Sequence, residues 1–435
     1  MLLWLILILG YAFYIKSKNS EIGYYKYYFP NLLYKLFFGI FFSIFYILYY
    51  NGGDSTAYWD LAGCMNKLFF KDPTSYFNNM YYSFGDPNFK FQYDIETGLP
   101  PQWIMKESEG FFVAKITSLF TFITGNCYLA ITLIYGAIAA NVSWRFFVLM
   151  NKLFKFENKL VIYVCLFLPS LSFWCSGITK DTLVLISIFS ILNHFFSLIN
   201  KIDKGKLYHI LIIIFHFWML SSLRPVLLLA VIIPLLIAVS ARFSSRMDSV
   251  FIKRFFQIFI SVGSTAVLLV GLQIYGNEKG LEDYIKEAEV VQQDFTHNKL
   301  YTGKKYTIEV TDYSPLGLLK VLPQSVIAGV YRPFLWEALS PSLILNGIES
   351  VFFIYLTFKF FRKDFFQKVR YIRRNEFFVF CFLFVLIFAF LTGFTSILFG
   401  VLVRLRAPLL PFLGFLLILP ALFKDQDDLE VEKIK

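Results

Sequence analysis

Charge is scarce in this chain: 16% of its 435 residues are charged, against 57% hydrophobic. A soluble protein of this length needs far more charge to cover its surface, so a water-soluble globular fold is excluded. Cysteine is sparse too. The five, at positions 64, 127, 165, 175 and 381, form no CxxC pair, which removes the usual zinc and redox signatures. A bridge between Cys64 and Cys127 is geometrically open on an oxidising face. The four histidines, at 194, 209, 216 and 297, show no metal-ligand spacing. His209 and His216 stand seven apart on one helix face and read as packing residues. There is no Walker loop, GxGxxG fingerprint or nucleophile elbow, which argues against ATP-driven transport and cytosolic nucleotide chemistry. No low-complexity segment and no internal repeat occurs.

What the chain has is a series of long apolar runs. They fall at 1–15, 31–50, 127–149, 160–176, 182–200, 207–222, 225–241, 252–275, 343–361, 377–398 and 401–422. Runs of about twenty apolar residues match a hydrocarbon core about 30 Å thick. The composition therefore predicts an all-α, polytopic transmembrane helix bundle of about eleven spans. Segment 1–15 lacks a basic leader and reads as a retained helix with its N-terminus outside. The net charge is +11, but the basic residues sit in short loops between runs. That is how topology is encoded, so nucleic acid is not the partner.

The loops also fix an orientation. Segment 111–124 is apolar but short and carries Lys115. If it spanned, Lys152, Lys155 and Lys159 would lie outside, against the positive-inside rule. Laid flat as an interfacial helix, it leaves every basic loop inside. The predicted organisation is two membrane helices (1–50), an extracytoplasmic loop with interfacial helices (51–126) and central membrane helices (127–275). A second extracytoplasmic loop (276–342), C-terminal membrane helices (343–423) and a charged, disordered cytoplasmic tail (424–435) follow. The second loop reads as an amphipathic helix from Glu278 to about Gln293, a strand-like stretch at Tyr306–Val310 and an interfacial helix from Leu316 to about Val330.

This topology gathers the unusual polar clusters on the outer side, and their convergence there predicts one site. Asp54 follows the pair Gly52-Gly53 at the exit of an apolar run. An acid there is costly to hold and is a candidate for function. It can take a proton from a hydroxyl, or hold a divalent cation (Mg or Mn) against a diphosphate. The plain alternative is an N-cap for a helix starting near Ser55. Asp60 is its weaker companion, and Tyr58 can stack on a sugar ring or anchor the interface. Lys180 and Asp181 open a helix after a turn expected to be tight and outward; a helix N-terminus with a lysine suits a phosphate. Arg224 stands at the outer end of a hairpin. Arg332, Trp336 and Glu337 form an Arg–aromatic–acid group, with Glu349 entering the next span. Arg404 and Arg406 begin an apolar span, where an unpaired arginine costs on the order of 2.5–3.5 kcal/mol near the bilayer centre.

This layout resembles polytopic bacterial glycosyltransferases of the GT-C type. The resemblance rests on Gly53-Asp54-Ser55 with Tyr58 after an early helix, a long first outer loop with flat helices, and a late Arg404-x-Arg406-x-Pro408-x-x-Pro411 span. It implies a catalytic acid at Asp54 and a polyprenyl-phosphate or polyprenyl-diphosphate sugar donor. The donor's phosphate would be met by residues drawn from Lys180, Arg224, Arg332, Arg404 and Arg406, with a glycan or lipid-linked acceptor and membrane lipids as the other partners. Asp60 follows Asp54 by six residues, where many members pair two acids closely, and the sizeable soluble C-terminal domain of many members has no counterpart here. O-antigen polymerase-like families are similar in size, span number and outer arginines. A carrier of lipid-linked oligosaccharide is the third alternative; a non-catalytic envelope scaffold is the last.

Overall fold

The structure, a computed structural model, describes residues 1–155, 158–202, 205–244, 281–297, 303–308 and 313–421, with positions 251, 259, 263 and 310. Among these, every regular element is helical. The chain runs through α1 (Leu2–Lys18), α2 (Tyr28–Leu48), α3 (Asp54–Lys71), α4 (Pro73–Tyr81), α5 (Gln102–Lys106), α6 (Ser108–Thr124), α7 (Tyr128–Phe154), α8 (Lys159–Leu166), α9 (Pro169–Trp174), α10 (Lys180–Ile199) and α11 (Lys206–Leu223). It continues with α12 (Pro225–Ser244), α13 (Leu281–His297), α14 (Pro315–Tyr331), α15 (Pro341–Arg362), α16 (Phe365–Arg374), α17 (Glu376–Thr395), α18 (Phe399–Leu405) and α19 (Leu410–Ile418).

Eight helices among the described residues are long and apolar enough to cross a membrane: α2, α7, α10, α11, α12, α15, α17 and the run through α18 and α19. They make this a multi-pass membrane protein. The other three expected spans fare differently. The first run forms α1, whose 17 residues reach about 26 Å, short of a hydrocarbon core of about 30 Å. The run 160–176 is broken into α8 and α9, with Pro169, which has no N–H to donate, opening the second piece. The run 252–275 falls almost wholly outside the described residues, as does the tail 424–435. The described residues of the strand-like stretch form no strand; a single antiparallel bridge, Lys305 with Leu398, lies just ahead of it.

The chain divides into two compact units, Met1–Phe156 with Leu166–Pro225, and Glu157–Cys165 with Val226–Lys435. In the first, α2 and α7 run antiparallel. Asn31 donates to the Ala140 carbonyl at 3.0 Å near one end, and Ser43 meets Thr132 at 2.9 Å toward the other. Beside them α3 buries Tyr58, Leu61, Ala62, Met65 and Leu68, one stripe at helical spacing, against α6. Segment α6 is thus a packed helix that does not count among the long apolar spans.

In the second unit α14 and α17 approach backbone to backbone. A Cβ on Gly329 would come 2.1 Å from the Ala389 carbonyl, and one on Gly393 would come 2.0 Å from that of Ser325. Small residues are how helices in lipid gain van der Waals contact when no hydrophobic difference drives them together.

Candidate functional site

The polar centre of the first unit is built on the turn between α9 and α10. Thr179 caps α10, its hydroxyl accepting the Thr182 N–H at 3.1 Å, while Thr182 Oγ1 donates to the Gly177 carbonyl at 2.7 Å. Gly177 has no room for a side chain, since a Cβ would lie 2.3 Å from the Phe42 ring. The Ser176 carbonyl rests on two more glycines, 2.9 Å from a Cβ on Gly39 and 3.4 Å from one on Gly136. Those glycines lie well inside α2 and α7. The turn, expected on an outer surface, is therefore sunk between helices, and every residue from Ser170 to Leu192 is buried. Threonine hydroxyls cap the turn from within.

Lys180 and Asp181 open α10 inside this buried stretch, and each has a partner. The Lys180 ammonium is paired with Glu107 and with Glu109, the latter at 3.1 Å. Its side chain is 6% exposed, while those of the two glutamates are 45% and 36% exposed. Glu107 stands just before α6, its side chain making no cap bond, and Glu109 lies in the first turn, where the helix dipole favours negative charge. Asp181 accepts from Arg224 at 2.9 Å. Arg224 ends α11, and its Nε is buried with no protein partner among the described residues.

Sequence reasoning missed Glu107 and Glu109. Their signal was two acids two residues apart just ahead of an apolar helix. The expected companion Asp60 is exposed, and six residues along α3 turn it to a different face from Asp54. Asp54 itself is half-buried at the first position of α3. It is not the cap: Gly53 is, and the Gly53 N–H donates to Thr56 Oγ1 at 3.0 Å. Tyr58, one turn on from Asp54 and on the same face, is buried; its ring and a Glu107 carboxylate oxygen flank Gly110, 3.3 and 3.0 Å from where a Cβ would stand. The first unit thus brings Tyr58 and Lys180 beside Glu107, with Glu109 also on Lys180, while Asp181, next in sequence to Lys180, holds Arg224.

The second unit holds its own cluster. Arg332 pairs with Glu337 at 3.5 Å, and its guanidinium lies 4.9 Å from the centre of the Tyr306 ring. Tyr306 donates to the Gly393 carbonyl at 2.5 Å, and burial raises its phenol well above the usual range, so it stays a hydroxyl donor. Trp336 is 72% exposed and stacks on Phe334. Glu349 is buried on α15, and Arg404 is half-buried.

Arg406, expected to meet a substrate phosphate, is fully buried and donates instead to the carbonyls of Val330, Arg332 and Asn346 and to Ser350 Oγ, at 2.5 to 3.3 Å. Four acceptors around one guanidinium make it a brace for the end of α14 and the middle of α15.

Cys64 and Cys127 are free thiols, so the bridge open to them is not made. Cys64 Sγ packs instead beside Gly98, and Cys127 stands just before α7. Among the described residues no group of three His, Cys, Asp or Glu side chains could hold a metal ion. Asp54 alone is no cage for Mg or Mn, which need several oxygen ligands. No protein family, curated protein or solved structure matches this chain.

Proposed function

We propose that this chain is an integral membrane glycosyltransferase of a bacterial cytoplasmic membrane. It moves a sugar from a polyprenyl-phosphate or -diphosphate carrier to a lipid-linked or surface glycan on the extracytoplasmic face. The observation that carries this reading is the buried Lys180 ammonium held by two partly exposed carboxylates, Glu107 and Glu109, beside the Asp181–Arg224 pair. Acids that stay open to water, backed by a buried ammonium, suit transfer from a lipid phosphate.

In this mechanism Asp54 takes the proton of the acceptor hydroxyl. The acceptor oxygen forms its bond to the sugar's anomeric carbon. The bond from that carbon to the phosphate oxygen breaks, and the phosphate leaves with the electron pair. Lys180 and Arg224 stabilise the charge that grows on it. Glu107 and Glu109 take the place of the close acid pair that Asp60 does not supply. An O-antigen polymerase differs in acceptor, not in these steps.

The test is glycan transfer by Asp54→Asn and by the pair Glu107→Gln with Glu109→Gln. Loss of transfer is expected for each, at normal protein level for Asp54→Asn. Full activity in Asp54→Asn would remove that residue from the mechanism.

One observation favours a second reading, a carrier of lipid-linked oligosaccharide. The helix broken into α8 and α9 and the turn set against the interior of α2 and α7 are of the kind that builds transporter sites. Purified protein in liposomes separates the two. A product of changed mass means transfer; an unchanged substrate moved across means a carrier.

A further inference from the structure

A cavity of about 420 Å³ opens in the second unit, at the end of α15 and beside α16. Its lining is buried and apolar at Leu356, Phe360 and Ile418. Lys359, Arg362 and Lys363 also line it, and all three are exposed. Arg362 stands one turn on from Lys359, so the two share a face of α15. No ion pair or hydrogen bond holds these three side chains among the described residues. Lys368 lines the cavity as well, but it is buried and donates to the Phe360 carbonyl at 2.8 Å, so it does not count with them. Asp364, between α15 and α16, is the one acid on the described lining.

The place of the cavity says what can reach it. Only Lys363 and Asp364 separate α16 from α15, and only Asn375 separates it from α17. Both neighbours are long and apolar enough to cross a membrane. A short helix tied that closely to two spans lies where they leave the bilayer, at the depth of the lipid headgroups. Its composition agrees. Phe366, Arg370 and Arg373 are exposed and stand four and three residues apart, on one helix face. Phe358 and Phe361, a turn apart at the end of α15, are exposed as well. Basic helices with exposed aromatic rings suit that interface. An anionic phospholipid has both halves the cavity takes: acyl carbon for Leu356, Phe360 and Ile418, and phosphate for the cations. An acidic peptide or a nucleic acid would answer the cations and leave the apolar lining uncovered.

We propose that this cavity binds an anionic phospholipid. Its phosphate lies on Lys359, Arg362 and Lys363 and its acyl carbon against Leu356, Phe360 and Ile418, while Arg370 and Arg373 attract it from α16. The site uses no residue of the glycosyl-transfer reading and does not depend on it. Ala421 also lines the cavity, and the sequence past it carries five acids, Asp425, Asp427, Asp428, Glu430 and Glu432. They are the rival for the same cations, and the experiment separates them from the lipid.

The full chain in detergent is incubated with phosphatidylglycerol or with phosphatidylcholine, and retained lipid is counted by native mass spectrometry. Saturable retention of phosphatidylglycerol over phosphatidylcholine is expected. Arg362→Gln with Lys363→Gln should weaken it roughly thirtyfold, and Lys359→Gln roughly fivefold. Arg362→Lys with Lys363→Arg keeps the charge and should keep the binding. Lys67→Gln with Lys106→Gln, at two exposed lysines of the first unit, should leave it unchanged. Soluble glycerol phosphate should not displace the lipid, because it brings nothing for the apolar lining. Equal retention of the two lipids, or displacement by glycerol phosphate, overturns the proposal. So does retention that Arg362→Gln with Lys363→Gln weakens no more than Lys67→Gln with Lys106→Gln does. Retention that appears only when the five acids past Ala421 are changed to their amides would give the cations to the chain's own acidic end and overturn it too.

Discussion

Asp181 and Arg224 meet at 2.9 Å, tying the first turn of α10 to the end of α11. The pair is unequal, because the Asp181 side chain is 2% exposed and that of Arg224 is 17% exposed. Removing one partner of a buried ion pair leaves the other charge without compensation, at a cost of about 3–5 kcal/mol. Arg224→Leu takes the guanidinium from the deeper group and should be the worse single change. Asp181→Leu strands an arginine that can still reach water and should cost less. The double variant should recover most of the loss, since a buried pair replaced by apolar groups is often neutral. Thermal unfolding of the four proteins in detergent checks the cycle, and additive losses would mean the pair is not coupled.

The Lys180 triad is asymmetric in the opposite sense. Its cation is the buried member and its two acids are partly in water. Lys180→Met leaves two carboxylates that can hydrate and should destabilise by about 1–2 kcal/mol. Glu107→Gln with Glu109→Gln leaves a buried ammonium and should cost more, about 3 kcal/mol. The order of the two melting points is the readout. If Lys180→Met melts lower, the lysine is not the group that depends on its partners.

Part of this was legible from the residues alone. The eight long apolar helices follow from run length, and the helix expected from Leu316 to about Val330 is observed as Pro315–Tyr331. Both are local properties, set by apolar content and by turn chemistry at each end. The glycines at 39, 136, 329 and 393 read as ordinary span residues, because nothing nearby in sequence says that another backbone will lie against them. The partners of Lys180 were hidden for the same reason. Glu107 is 73 residues away, and its pairing depends on α6 packing beside α10, which no charge pattern encodes. Arg406 shows the reverse error. An arginine starting an apolar span was expected to seek a ligand, but its two terminal nitrogens donate to carbonyls at the end of α14 and to Asn346 and Ser350 of α15.

That brace makes a sharp prediction. Arg406 donates through both terminal nitrogens to three carbonyls and a hydroxyl. A lysine keeps the charge but offers one nitrogen in place of a planar fork, so it loses at least two of the four bonds. Arg406→Lys should destabilise the chain by about 3 kcal/mol, counting roughly 1.5 kcal/mol or more for each charge-assisted bond lost. Arg404→Lys, at the half-buried neighbour, should cost less. Equal melting points for the two variants would show that the Arg406 network contributes little.

Lys115 gives the pH dependence. It lies on α6, outside the long apolar spans, is 6% exposed and donates to the Tyr82 carbonyl at 2.7 Å. Burial lowers its pKa from the ordinary 10.5 to about 8. The folded chain therefore releases this proton near pH 8, while the unfolded chain holds it until about 10.5. Between those values the unfolded state binds more protons, so stability rises with pH. Below about pH 8 both states are protonated and the contribution is flat, at its least favourable. Lys115→Met should remove the rise. Melting temperatures of wild type and variant, taken from pH 7 to pH 10, should diverge in slope above about pH 8. A wild-type curve no steeper than the variant's across that window would mean the buried ammonium is not the group that titrates.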